Sequence, residues 1–256
     1  MKKLLNFLFA LLPLFAFSQS VEGEVTYEEV IQLKIHLEGM EDDEMMAMLP
    51  KEQAAKKTLY FSPDASLYKD AESDEDENQE ISGGSGEMHF KMIIARPDNK
   101  LYKDLQEEQK IEQREFMGKV FLIKDELKSY EWKLTGEQKQ IGEYICQKAT
   151  MADSVTKTEV WFTPQIPVST GPGNLGRLPG LILEVSINDG EQTIVAKEVK
   201  IGKVESDLMA APSKGREVTQ AEFEEIMKEK MKEMEAEMGG SGSGGGTTIK
   251  FIQRRN

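Results

Sequence analysis

The chain has 256 residues, with 32 basic and 46 acidic side chains and a formal net charge of −14. So acidic a surface excludes nucleic-acid phosphate, which requires a basic one, and electrostatic docking on anionic lipid. A single cysteine, Cys146, excludes an internal disulfide, so stability has to come from an apolar core, and this length can build one large domain.

The chain opens with MKKLLNFLFALLPLFAFSQS. Lys2 and Lys3 form a positive n-region, Leu4–Phe17 an apolar stretch too short to span a bilayer, and Ala16 and Ser18 a small-residue cleavage site. This reads as a signal peptide over 1–18. The expected product is an exported protein of the periplasm or outer-membrane surface, soluble after cleavage and without a membrane span.

Alternation dominates residues 19–217. Val25, Tyr27, Ile31, Leu33, Ile35 and Leu37 recur at period two, the pattern of a strand with one buried face. Gly39–Leu49 reads as a short helix in the first long connection. Leu59 and Phe61 mark a second strand, and Met88, Phe90, Met92 and Ile94 a third. Between them Asp70–Glu80 and ISGGSG read as an acidic, flexible insert over 70–87, because adjacent carboxylates repel and bury nothing. Further strands are expected over Val120–Ile123, Tyr130–Leu134, Ile141–Ala149, Thr156–Phe162, Leu181–Ile187 and Thr193–Ile201. SPDAS, RPDNK, LTGEQ and INDG read as turns between strands. Short joins without helical patterns predict a mainly β fold: a curved antiparallel sheet, half-barrel or barrel-like meander.

A C-terminal amphipathic helix is expected over 218–238. Thr219 and Glu222 form a capping box, with Val218 and Phe223 placed as a hydrophobic staple. Phe223, Met227, Met231, Met234 and Met238 fall on one helix face. Gly-rich 239–246 reads as a linker, and the basic tail 247–256 can alternate as a strand able to add to a sheet edge.

Chemistry-bearing motifs are sparse. The formal G-x-G-x-x-G at Gly171, Gly173 and Gly176 is not a dinucleotide site, because Pro179 falls where the helix should run and a strand pattern follows. His36 and His89 are the only histidines, neither in H-E-x-x-H, and no serine sits in G-x-S-x-G. Cys146, beside Tyr144 and Ile145, reads as a buried strand thiol. No catalytic residue, cofactor or metal is assigned. The methionines could offer soft ligands to Cu(I), but their continuous spacing favours packing.

The most unusual stretch is TPQIPVSTGPGNLGRLPGLILEV, with four prolines and four glycines within Thr163–Gly180. Prolines at 164, 167, 172 and 179 restrict φ and withhold donors, so this is a stiff connector between two strands. Long ordered loops often bind partners, which makes Pro167, Gly171, Pro172, Arg177, Leu178, Pro179 and Gly180 the candidate partner-binding residues.

This loop and the blocks GEVTYEE, TLYFSPDASLY, EWKLTGEQKQIGEYICQKAT, VWFTPQIPVSTGP and TQAEFEEIMKEKMKEM resemble the GLPGLI family of exported proteins from Bacteroidota. Arg177 stands where that motif has its first glycine, and Gly173 where an aromatic is usual. The resemblance implies a β-rich envelope protein without established catalytic residues. It further implies a non-enzymatic accessory that engages an outer-membrane TonB-dependent transporter or its complex. The alternative is a periplasmic carrier for a lipid or other apolar ligand. The stretch IGEYICQKA, followed by WFTP, also distantly resembles half-barrel lipoprotein carriers, which implies only a concave apolar sheet face.

Overall fold

The computed structural model describes residues 21–33, 51–71, 78–85, 88–95, 98–152 and 156–239. The expected signal peptide, the helix over Gly39–Leu49, the basic tail and the linker after Gly239 lie outside these residues.

Fourteen strands and one α-helix form the described fold. The strands are β1 Gly23–Gln32, β2 Glu52–Phe61, β3 Ala65–Asp70, β4 Asn78–Ser85, β5 Met88–Ala95, β6 Lys100–Asp104, β7 Gln109–Phe116 and β8 Lys119–Glu126. They continue with β9 Lys133–Ile141, β10 Tyr144–Ala152, β11 Lys157–Thr163, β12 Leu181–Ile187, β13 Gln192–Ile201 and β14 Arg216–Val218. The helix α1 spans Gln220–Gly239. Twelve strands make one sheet in the order β14-β8-β7-β6-β3-β2-β1-β13-β12-β11-β10-β9, and β4 and β5 pair separately. Its two ends, β14 and β9, are not joined, so the sheet is open rather than a closed barrel. The fold is therefore the mainly β architecture that the alternation predicts, with one parallel pair, β14 on β8.

Period two places the core. Val25 and Tyr27 of β1, Leu59 and Phe61 of β2, and Val160 and Phe162 of β11 are fully buried. They join Leu181, Ile182, Leu183 and Val185 of β12 in one cluster. Tyr27 donates its hydroxyl to the Ile182 carbonyl at 2.6 Å, tying β1 to β12 across the core. β1 ends at Gln32, and Ile31 is exposed rather than inward-facing.

Three expectations are corrected. The acidic insert is not loop throughout: Asn78–Ser85 is a strand whose backbone pairs antiparallel with the apolar strand Met88–Ala95. LTGEQ is no turn but lies within β9, where Gly136 takes φ +81 in the irregularity that sets Thr135–Glu137 opposite the single residue Lys148 of β10. Strands β3, β6, β7 and β14 have no counterpart in the apolar pattern, because several carry polar residues inward: Ser66, Lys103, Lys110 and Glu112 are all buried.

A second, smaller core lies under α1. Thr219 donates its N–H to Glu222 Oε2 at 2.7 Å, and Glu222 returns its own N–H to Thr219 Oγ1 at 3.2 Å, closing the capping box. Val218 and Phe223 then pack with Phe121 and Ile123 of β8, the staple that sets the helix against the sheet. Among the described residues no helix is long and apolar enough to cross a membrane, which says nothing of β-barrels.

Candidate functional site

The loop after β11 packs into the sheet's core instead of standing away from it. Ile166, Val168 and Leu178 are buried in the same cluster as Val25 and Phe162. Backbone N–H groups close small turns along the path: Val168 to Ile166 O, Thr170 to Val168 O and Gly180 to Leu178 O, each at 2.8 Å. Two glycines are required by contact. A Cβ on Gly180 would lie 2.2 Å from Thr163 O, and one on Gly171 2.7 Å from the Ile182 Cβ.

So proline-rich a path cannot satisfy all of its own carbonyls, and buried carbonyls need donors. Side chains from two other segments supply them. Lys103 of β6, almost fully buried, donates from Nζ to Gly171 O at 2.8 Å and to Gly173 O and Leu175 O at 2.9 Å. Those are all three ammonium donors. Burial pushes its pKa down to about 7. Tyr130 donates its hydroxyl to Asn174 O at 3.0 Å, and Trp132 its Nε1–H to Gly176 O at 2.9 Å. Ser66 and Thr170 share a buried hydroxyl pair at 2.8 Å. Together these fix the loop from Thr170 to Gly176.

Of the seven candidate partner-binding residues, Pro167, Arg177 and Pro179 are exposed, whereas Gly171, Pro172, Leu178 and Gly180 are buried. The loop presents only its outer edge. Arg177 occupies φ +67, a left-handed conformation that favours glycine. Its guanidinium pairs with Glu108 at 2.5 Å, and Glu108 also has positive φ, +56. That guanidinium holds the Glu108 carboxyl below the usual glutamate range. Next to this pair, Tyr130 and Trp132 stand 5.6 Å apart, tilted by 41° and half-buried.

The expected apolar helix face divides too. Phe223 is fully buried, with Phe121 and Phe116 against it edge-on at 5.2 and 6.2 Å and the Arg114 guanidinium over its ring at 5.4 Å. Met227 packs against the same cluster, as its place on the stripe predicts, and Ile226, which the spacing does not single out, joins it. Met231 and Met234 are 46% and 41% exposed, so the packing stripe covers only the first turns. The Met238 side chain lies outside the described set. Cys146 is a buried free thiol, and burial pushes its pKa up to about 11, as suits an inert strand residue. Among the described residues no group of three or more His, Cys, Asp or Glu is placed to hold a metal ion.

Lys103, Tyr130 and Trp132 escape sequence reasoning as site residues. The one available signal is indirect: a loop short of donors requires them from elsewhere, without saying where.

Comparison with known proteins corrects the family resemblance. The chain matches the family described as N-glycanase peptide, N-terminal domain, over residues 79–223. No curated protein matches it. It is similar to two solved structures of PNGF-II, in C2 and P21 space groups. The first has 18% identity and a TM-score of 0.53 over 81% of this chain and 33% of that one. The second has 17% identity and a TM-score of 0.52 over 80% and 33%. At such identities the likeness shows the fold alone, and the chain spans about a third of the length of those proteins. The GLPGLI assignment, and with it the TonB-transporter accessory role that rested on that resemblance, is overturned by this family match. The apolar-ligand carrier falls with it, since the match is to an N-glycanase domain family, and Ile166, Val168 and Leu178 of the loop pack into the core of the sheet. Matched over more than half of its 256 residues, the chain belongs to the N-glycanase peptide N-terminal domain family.

Proposed function

We propose that this domain serves N-glycan processing outside the cytoplasm, holding N-glycosylated protein rather than cleaving it. The observation that carries the reading is the family match, which runs from β4 through the clamped loop to Phe223 of α1. The family is that of an N-terminal domain of an N-glycanase. An exported location, suggested by the residues at 1–18, is where glycoprotein substrates would be met. A rigid loop edge fits a holding role, since a preorganised surface loses little entropy on binding.

The test is binding of the purified chain to an N-glycosylated protein before and after its glycans are removed, measured by biolayer interferometry. Preferential binding of the glycosylated form is expected. Equal binding of the two forms would overturn the reading. Release of free glycan from a labelled N-glycopeptide by this chain alone would instead make it the cutting enzyme and refute the holding role.

A further inference from the structure

We propose that Tyr130 and Trp132, with the adjoining loop edge Asn174–Arg177, form a saccharide subsite that takes one pyranose ring of an N-glycan. The proposal rests on the N-glycan reading above and deepens it to a place on the molecule.

Three features of the rim converge on this ligand chemistry. The first is the ring pair, 5.6 Å apart and tilted by 41°, each ring partly exposed, with Trp132 also braced against the main core. Sugar rings carry C–H groups on their faces, and these pack on aromatic faces because the π-system is negative there. The second is fixation. The polar atom of each ring is already committed to the loop, Tyr130 Oη to Asn174 O and Trp132 Nε1 to Gly176 O. The rings are therefore oriented before any ligand arrives, by a loop that Lys103 and the Ser66–Thr170 pair hold from beneath. A glycan gains little from each contact, so a surface already ordered favours it. The third is charge. Arg177 lies one residue from the Trp132 anchor point, and its charge is met by Glu108. The edge offers guanidinium donors and carboxylate acceptors without an uncompensated charge. Hydroxyls, which donate and accept, match such an edge better than an ion does.

Trp132 is its own reporter. The chain has two tryptophans, so Trp161→Phe leaves Trp132 as the sole tryptophan emitter under excitation selective for indole. Titration of that variant with a free high-mannose oligosaccharide is expected to shift and quench Trp132 emission. Trp132→Ala should weaken capture of the glycosylated protein by about tenfold, the factor that roughly 1.4 kcal/mol of ring contact supplies. Arg177→Gly, which suits the left-handed backbone there and so keeps the fold, should weaken it severalfold. Trp132 emission unmoved by millimolar oligosaccharide would overturn the proposal. So would an equal emission change with the deglycosylated protein, which would make this rim a protein-docking surface. If both variants capture glycosylated protein as well as the unaltered chain does, the subsite is refuted while the N-glycan reading stands.

Discussion

Replacing Lys103 with Met separates the loop's stability from that of the whole domain. The substitution keeps a linear side chain in the core but removes three donors. Gly171 O, Gly173 O and Leu175 O then lose their partner. An unpaired buried polar group costs about 1–3 kcal/mol, so three cost about 3–9 kcal/mol if no water replaces the ammonium. Opposing this is relief from burying a cation. The fall of the Lys103 pKa from 10.5 to about 7 corresponds to about 5 kcal/mol against the charged form. The two effects largely offset, and the net change in unfolding free energy should stay within about 4 kcal/mol. The local effect has no such compensation. Amides that close the loop, Leu175 to Pro172 O and Arg177 to Ser169 O, should exchange with deuterium far faster, while those of β1 and β2 keep their protection. A pH series adds a second readout. A lysine with a depressed folded pKa binds its proton more weakly folded than unfolded. The unaltered chain therefore gains stability as pH rises from about 7 towards 10.5. The Met variant should lose the share of that rise that Lys103 supplies, leaving the part due to Lys110, whose burial also holds its pKa below the ordinary lysine value. Unchanged exchange at Leu175 and Arg177 would refute the view that Lys103 holds the loop.

Three further outcomes are expected. Phe223→Ala removes a fully buried ring beneath the helix and should cost about 3–5 kcal/mol by chemical denaturation, with loss of helical circular dichroism. Gly180→Ala would place a Cβ 2.2 Å from Thr163 O, so the loop cannot close as it does; a midpoint within error of the parent chain would contradict this contact. Glu222 is held below the ordinary glutamate pKa of 4.5 by the Thr219 N–H and hydroxyl. Its contribution is therefore present above that value and disappears as pH falls through the folded pKa. Helical signal should decline with acid over that range, and Glu222→Gln should flatten the decline.

The parts of this fold that were legible are those where one physical signal dominates. Val160 and Phe162 alternate with charged Glu159, so β11 could be read residue by residue. The helix start was equally plain, because Thr219, Glu222, Val218 and Phe223 act within one turn and need no distant partner. β6 and β7 fail that test. Their inward positions hold Lys103, Lys110 and Glu112, which a hydrophobicity pattern reads as solvent-facing. The reason they turn inward lies elsewhere in the chain. Lys103 is inside because a loop some seventy residues later presents carbonyls that its own prolines and geometry cannot satisfy. The same dependence hid Tyr130 and Trp132, whose ring heteroatoms answer Asn174 and Gly176. Composition therefore marked the loop as stiff, and correctly placed it between β11 and β12, but it misjudged the source of the stiffness. Proline limits the path; the clamp from β6 and the segment before β9 selects one conformation along it. In this molecule the loop's rigid edge and the polar strands beneath it are one structural feature, and a substitution in either should be read in the other.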